Sequence, residues 1–285
     1  MGKVFSFINY KGGVGKTTLA VEISAAIAHN LNVKVLLIDV DPQTNATFYL
    51  MHEKEWDDWS TNKGTLREVF HNFLNGKSTD VRPIIRGFDR PKMKNFFLLP
   101  SHVDLLPMDL KLASHYGVES PRAIKLLKEV CDNLRKEYEV IICDCPPNLN
   151  LITQNAIVAS DALAIVAIPE FLSVIGIRWI FVIRDEIVNR INEELKPFGA
   201  PAFEGPEVKG IIFNRVRATS LHRYMMEQLE KERGKIVFDS YLSESIRIGE
   251  RPEMKIPIAL SDWRADEKYV EQLNQIIDEF ITKVY

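Results

Sequence analysis

Apolar runs of strand length alternate with helical patterns along most of the chain. Residues 3–9 and 33–40 are continuous apolar runs, and residues 17–29 between them carry apolar side chains at helical spacing. An apolar run without polar alternation is typical of a strand buried on both faces of a parallel sheet. The first forty residues therefore predict a strand–helix–strand unit of a doubly wound fold.

The same alternation continues towards the end of the chain. Further strands are predicted at 139–145, 161–169, 208–214 and 235–238, and helices at 121–138, 171–195, 220–233 and 262–284. Residues 51–97, with clustered charge and with Trp56 and Trp59, break the pattern, and we interpret them as an irregular insertion. The sequence thus predicts an α/β protein: one domain over residues 1–285, with a mostly parallel, doubly wound sheet and helices on both faces.

Composition narrows the class of protein. The 285 residues are 46% hydrophobic and 26% charged, which is ordinary for a globular protein, and the net charge of −3 argues against a bulk polycation that coats nucleic acid. Three cysteines favour a reducing compartment over a disulfide framework. Cys143 and Cys145 lie two apart on a predicted strand, and we interpret them as core residues, not as a metal-binding pair, because there is no C-x-x-C spacing and no nearby histidine cluster to complete a site.

A glycine-rich loop stands between the first strand and the first helix: Lys11, Gly12, Gly13, Val14, Gly15, Lys16, Thr17 and Thr18. Glycines allow successive backbone N–H groups to surround phosphate oxygens, and the helix that begins near Lys16 directs its positive dipole end at the same anion. The Lys16 side chain can reach the β- and γ-phosphates, and the Thr17 hydroxyl is a suitable Mg²⁺ ligand. The loop therefore predicts ATP and Mg²⁺ as cofactors.

This loop departs from the usual phosphate-binding pattern. Position 10 is Tyr10 where a glycine is expected, and an additional lysine, Lys11, begins the loop. Lys11 is either a solvated loop lysine or a residue that meets nucleotide phosphate, its own or that of a second subunit. We favour the phosphate contact.

Six motifs together resemble the ParA/MinD family of deviant-Walker ATPases, in its ParA branch of Soj- or McdA-like proteins. They are the loop, residues 39–47 (DVDPQTNAT), 98–101 (LLPS), 140–147 (VIICDCPP), 210–214 (GIIFN) and 246–252 (IRIGERP). The last of them resembles the family's DNA-contacting turn. The resemblance covers almost the whole chain. Thr44 stands where many members have glycine, and the tryptophan-containing stretch after Leu50 also departs from the family pattern.

The resemblance implies roles for the catalytic residues. Lys11 would cross a sandwich homodimer to the ATP of the other subunit, where a positive charge stabilises the transferred phosphoryl group. Lys16 would bind the phosphates of its own nucleotide. Asp41 follows a strand beside the loop, where ligands bind in doubly wound sheets, and we expect it to position the attacking water.

Four further residues complete the expected nucleotide site. Asp39 and Asp144 would act with Thr17 on Mg²⁺, although Asp39 is also suited to be a turn partner. By resemblance, Asn214 reads the adenine base, with the capping of a strand-to-loop turn as its alternative. Pro252 is expected to flank the base.

A candidate DNA-contacting region spans residues 206–255, which hold ten basic and eight acidic residues. By resemblance, Arg217 and Arg247 are the best candidates for contacts to the DNA backbone, with a solvated helix face as the alternative for several of these charges. Two copies in a dimer would double the patch, and affinity for DNA rises steeply with the number of phosphate contacts. We expect non-specific DNA binding that depends on ATP. Because the loop begins at residue 11, we expect no preceding helix-turn-helix domain.

The function implied is a slow, partner-stimulated ATPase, cytoplasmic and nucleoid-associated, that positions a plasmid, a chromosome or a protein organelle such as a carboxysome. An adaptor of the ParB or McdB type is expected as a partner. A MinD-like membrane ATPase is the first alternative, but its basic terminal helix is missing, since residues 262–284 carry a net negative charge. A metabolic enzyme on the same scaffold is the second alternative.

Overall fold

The computed structural model describes residues 1–285, apart from the side chain of Leu172. One eight-stranded sheet with the order β3-β4-β2-β5-β1-β6-β7-β8 forms its centre, and only the β3–β4 pair is antiparallel. The strands are β1 (Lys3–Ile8), β2 (Val35–Asp39), β3 (Arg86–Gly87), β4 (Phe96–Leu99), β5 (Val140–Asp144), β6 (Ala162–Ala167), β7 (Glu207–Val216) and β8 (Val237–Ser243). The predicted fold class is confirmed.

Helices cover both faces of the sheet. They are α1 (Lys16–Asn30), α2 (Asn45–Leu50), α3 (Glu53–Asn62), α4 (Arg67–Leu74), α5 (Leu105–Tyr116), α6 (Leu126–Leu134), α7 (Leu151–Ala159), α8 (Phe171–Leu195), α9 (Ser220–Arg233), α10 (Ile246–Met254) and α11 (Glu267–Lys283). Within the described part of the chain, none of them is both long and apolar enough to cross a membrane.

Alternate side chains of the central strands enter two separate cores. On β1, Val4 and Ile8 face the core that contains α6 and α7, whereas Phe5 and Phe7 face the core that contains α1 and α11. Phe280 of α11 packs edge-on against Phe5, with a ring-centroid distance of 5.3 Å. Both faces of the strand are therefore apolar, which explains the uninterrupted hydrophobic run in the sequence.

The structure corrects three expectations. Residues 51–97 are not irregular, because they contain α3, α4 and the antiparallel edge strand β3. Residues 246–252, expected as a turn, lie in the helix α10. The final strand lies later than predicted, at Val237–Ser243, because Asp239 and Ser240 interrupt its apolar residues, which therefore do not form a continuous run.

Strand register brings the charged motifs together at the carboxyl ends of the central strands. Asp144 at the end of β5 pairs with Phe7 of β1 on one side and with Asp39 of β2 on the other. The loop after β1 therefore emerges beside both carboxylates. The order of the strands also reverses direction at β1, and in open α/β sheets such a point is where ligands bind.

Candidate active site

A cavity of about 1000 Å³ lies at the carboxyl ends of these strands. Its walls come from three parts of the chain: the glycine-rich loop, the segment after β2, and the β7, β8 and α10 region. The residues that line it include Gly12, Gly13, Gly15, Lys16, Thr17, Thr18, Asp41, Phe48, Asn214, Arg215, Glu244, Pro252 and Lys255. This volume is in the range of small-molecule sites, which span about 300–1000 Å³.

Two glycines of the loop adopt a backbone that other residues rarely accept. Gly13 has φ of 75° and Gly15 has φ of 85°. A Cβ at Gly15 would lie 2.0 Å from Asn214 Nδ2, whereas a Cβ at Gly13 would meet no atom within 4 Å. Gly13 is therefore required by conformation alone, and Gly15 by conformation and by close packing.

Lys16 begins α1 and points into the site as a nearly buried cation. Its Nζ donates to the Lys11 carbonyl at 3.2 Å, and its side chain is 6% exposed. Burial lowers the pKa of Lys16, while the charges of Asp144 and Asp41 act in the opposite direction. A cation at a helix N-terminus, with a glycine-walled loop around it, is suited to bind the phosphates of a nucleotide.

Asp144 is a fully buried carboxylate with no hydrogen-bond partner for either oxygen. Burial raises its pKa well above the usual range, the Asp39 charge raises it further, and interaction with the Thr17 side chain opposes both. An unpaired buried carboxylate is costly unless a cation compensates it. A cation bound beside Thr17 would therefore compensate the buried carboxylate of Asp144.

Asp39 has its side chain engaged in the turn that follows β2. Oδ2 accepts from the backbone N–H and the hydroxyl of Thr47, at 2.8 and 2.7 Å, and Oδ1 accepts from the Asp41 N–H at 3.1 Å. Burial raises the pKa of Asp39 to about 7. These hydrogen bonds are those of a turn partner, the alternative role considered for Asp39.

Asp41 lines the cavity and is held from several sides. Its Oδ1 accepts from the Gln43 N–H at 2.9 Å, and its carbonyl accepts from the Ser101 hydroxyl at 2.7 Å. Burial raises the pKa of its carboxyl group, and the Lys16 charge opposes that shift. After it, Thr44 has φ of 56°, so it occupies the left-handed region where glycine is less costly.

Lys11 lies at the rim of the loop. Its Nζ is 2.9 Å from Glu170 Oε2 of its own chain, and both side chains are partly exposed. Glu170 precedes α8, and its carboxyl pKa is lowered by Lys11 and, more weakly, by the nearby His222 and Arg217. Exposed ion pairs contribute only about 0–1 kcal/mol, so this pair can be exchanged for another anion.

Asn214 lies under the loop and also lines the cavity. Its Nδ2 donates to the Val14 carbonyl at 2.9 Å, and its Oδ1 accepts from the Arg215 N–H at 2.9 Å. Pro252 lines the same cavity from α10. The structure thus brings both residues to the site, and Asn214 has a contact with the loop that sequence reasoning did not anticipate.

The two expected DNA contacts lie on different elements and are both ion-paired. Arg217 pairs with Glu244, with its Nε at 2.5 Å from Oε2, and Arg247 pairs with the buried Asp266 at 2.7 Å. Arg251, which is nearly buried, shares Asp266. Both expected DNA contacts are therefore held by carboxylates of their own chain.

Sequence reasoning missed Arg215 as a residue of the site. Its guanidinium donates to the Gly13 carbonyl at 3.1 Å and pairs with Glu244 at 2.9 Å, and its φ is 54°. Glu244 accepts from both Arg215 and Arg217, which lower its pKa to about 2. In the sequence, the signal for this role of Arg215 was its basic side chain directly after Asn214.

Cys143 and Cys145 are buried and free, in agreement with their interpretation as core residues. Among the described residues, no group of three or more His, Cys, Asp or Glu side chains is placed to hold a metal ion. Mg²⁺ commonly uses only one or two protein ligands together with substrate phosphates, so such a cluster is not required.

Comparison with known proteins identifies the family. Residues 2–197 match the model of the AAA_31 family, an AAA domain. The chain belongs to this family. It is 28% identical over 266 residues to the sporulation initiation inhibitor protein Soj of Bacillus subtilis, with 93% of each chain covered. It is 24% identical to the chromosome partitioning protein ParA of Caulobacter vibrioides, with 96% of this chain and 94% of ParA covered.

Solved structures agree with the AAA-domain assignment. The chain is similar to an ATP complex of McdA from Cyanothece with a TM-score of 0.73, at 23% identity, over 98% of this chain and 95% of McdA. This likeness shows the fold. With the sequence relatives, it confirms the prediction of a ParA-family member.

Proposed function

We propose that this AAA-domain protein binds ATP with Mg²⁺ and hydrolyses it slowly as a homodimer that positions a cargo on DNA. The observation that carries the proposal is a nearly buried lysine, Lys16, that lines a glycine-walled cavity and lies close enough to the buried Asp144 to be affected by its charge, while neither oxygen of Asp144 has a hydrogen-bond partner. A polyanion with a bound cation would satisfy both groups at once.

The nucleotide would lie with its phosphates on the loop between Gly12 and Thr18. Thr17 and Asp144 would hold Mg²⁺, which supplies positive charge against the phosphate oxygens. Asp41 lines the cavity close enough to the Lys16 charge to be affected by it, and it would orient the attacking water. Asn214 and Pro252 would contact the base.

Dimerisation is supported by the surface around Lys11. Phe171, Ile175 and Trp179 are exposed large apolar residues that lie along one face of α8. Tyr10, also exposed, packs near the same helix, because a Cβ at Gly176 would lie 3.9 Å from it. A second copy with bound ATP would bury this surface and offer its nucleotide to Lys11 in place of Glu170.

Light scattering with ATP, with ADP and without nucleotide tests this step. We expect a dimer with ATP alone, its loss in Lys16→Ala and Lys11→Ala, and a persistent dimer in Asp41→Ala, which binds ATP but does not hydrolyse it. Lys92→Ala, which removes a lysine that pairs with Asp262 and does not line the cavity, serves as the matched control. An equal mass in all three nucleotide states would contradict the proposal.

DNA binding is proposed to follow dimerisation. Arg217 is more than half exposed, and its partner Glu244 is a surface carboxylate that DNA phosphate can replace. Non-specific duplex should be retained in a gel shift with ATP alone, and Arg217→Ala and Arg247→Ala should each weaken retention. Arg82→Ala, an exposed arginine outside the region, should not. Retention that is independent of nucleotide would contradict this part of the proposal.

The cellular role follows from these two steps. A protein that binds DNA as an ATP dimer and leaves it after hydrolysis would be cytoplasmic and nucleoid-associated. An adaptor of the ParB or McdB type would stimulate hydrolysis and join the protein to a plasmid, a chromosome or a protein organelle such as a carboxysome. Liposome co-sedimentation with ATP would instead support the membrane-associated alternative.

A further inference from the structure

We propose that Trp56 is a positioning residue for Asp41. The proposal rests on the proposed ATPase function and adds a part of the chain to which the nucleotide site assigns no role. Trp56 belongs to α3, in the segment that departs from the family pattern. Its indole contacts Ser101, which holds the backbone of Asp41, and Phe48, which lines the nucleotide cavity.

The first contact runs through Ser101 to Asp41. Trp56 Nε1 donates to the Ser101 carbonyl at 3.0 Å, and the Ser101 hydroxyl donates to the Asp41 carbonyl at 2.7 Å. Ser101 also donates its N–H to the Thr47 hydroxyl at 2.9 Å, and that hydroxyl donates to Asp39. A single buried residue, Ser101, therefore separates the indole from the backbone of Asp41.

The second contact runs through Phe48. The rings of Trp56 and Phe48 meet edge to face, with centroids 5.3 Å apart. Phe48 lines the cavity, and its carbonyl accepts from Lys255 Nζ at 2.6 Å. Trp56 thus stabilises the helix that follows Asp41 as well as the serine that holds it.

Trp59, three residues later on the same helix, has different contacts. Its Nε1 donates to the Ile84 carbonyl at 2.9 Å, and the Arg86 guanidinium lies 5.3 Å from the centre of its ring. It does not line the cavity. No residue of α3 is fully buried, so the two indoles attach the helix to the sheet, and only Trp56 connects it to Asp41.

The two tryptophans therefore offer a matched pair of variants. Trp56→Phe keeps an aromatic ring and removes the N–H that fixes Ser101, so we expect kcat for ATP hydrolysis to fall about three- to tenfold. KM should change less than about twofold, because the loop that binds the phosphates is unaltered. Trp59→Phe should lower the melting temperature to a similar extent and leave kcat at the wild-type value.

A spectroscopic readout separates positioning from structural support. ATP should change tryptophan emission more than ADP does, because Trp56 is in contact with Phe48 at the cavity wall. This difference should persist in Trp59→Phe and disappear in Trp56→Phe. Equal kcat values for the two variants, or an effect of Trp56→Phe on KM alone, would overturn the proposal.

Asp41→Asn distinguishes a failure of this inference from a failure of the proposed function. If Asp41→Asn hydrolyses ATP at the wild-type rate, the role of Asp41 is wrong and the role of Trp56 is wrong with it. If Asp41→Asn is inactive while Trp56→Phe and Trp59→Phe behave alike, the proposed function stands and only the inference about Trp56 is overturned.

Discussion

Replacing Gly15 by alanine tests how the phosphate loop is built. The added Cβ would lie 2.0 Å from Asn214 Nδ2, so the amide must move by about 1 Å and lose its hydrogen bond to the Val14 carbonyl. An unsatisfied buried carbonyl costs about 1–3 kcal/mol. The left-handed backbone conformation lowers the free energy of unfolding of Gly15→Ala by about 1–2 kcal/mol more. The reduced flexibility of its unfolded chain offsets about 0.4–1 kcal/mol of this loss.

Gly13→Ala is the matched control, because Gly13 also has a positive φ and its added Cβ would meet nothing within 4 Å. The difference in the free energy of unfolding between the two variants therefore isolates the contact with Asn214, about 1–3 kcal/mol. Urea denaturation without nucleotide measures it. In an Asn214→Ala background, the extra cost of Gly15→Ala should vanish. Equal costs for both glycines, or additivity with Asn214→Ala, would refute the reasoning.

Three further variants test the charges of the protein. The pKa of Asp144 is higher in the folded than in the unfolded chain, so its contribution to stability is lost as pH rises above about 4. Without nucleotide at about pH 8, Asp144→Asn should therefore have a higher melting temperature than the wild type. Glu244→Gln releases its two arginines and should raise salt-sensitive DNA affinity in gel shifts, whereas Glu137→Gln, which releases Arg82 outside the region, should not. Asp266→Asn leaves the nearly buried Arg251 without its carboxylate and should cost about 3–5 kcal/mol by urea denaturation; a loss under about 1 kcal/mol would contradict the buried pairing.

The strands and the loop were predictable because their signals are local. Apolar runs on β1 and β2 indicate burial on both faces, and glycines followed by Lys16 and Thr17 indicate a phosphate site wherever a strand precedes and a helix follows. The helix α3 gave no such signal, since none of its residues is fully buried and two indoles attach it to the sheet. Its place depends on partners that are distant in sequence.

The amino-acid sequence alone determined the class of fold, the phosphate loop and the family, because backbone conformation and hydrophobic periodicity depend on neighbouring residues. Only the tertiary structure decided which charges are free to act. Arg217 and Arg247 look alike in the sequence, but one pairs with an exposed carboxylate and the other with a buried one. Asp39 and Asp144 are likewise similar carboxylates after apolar strands, yet Thr47 donates two hydrogen bonds to the first, whereas neither oxygen of the second has a hydrogen-bond partner. Such differences arise from long-range packing, which sets desolvation and hydrogen bonding together.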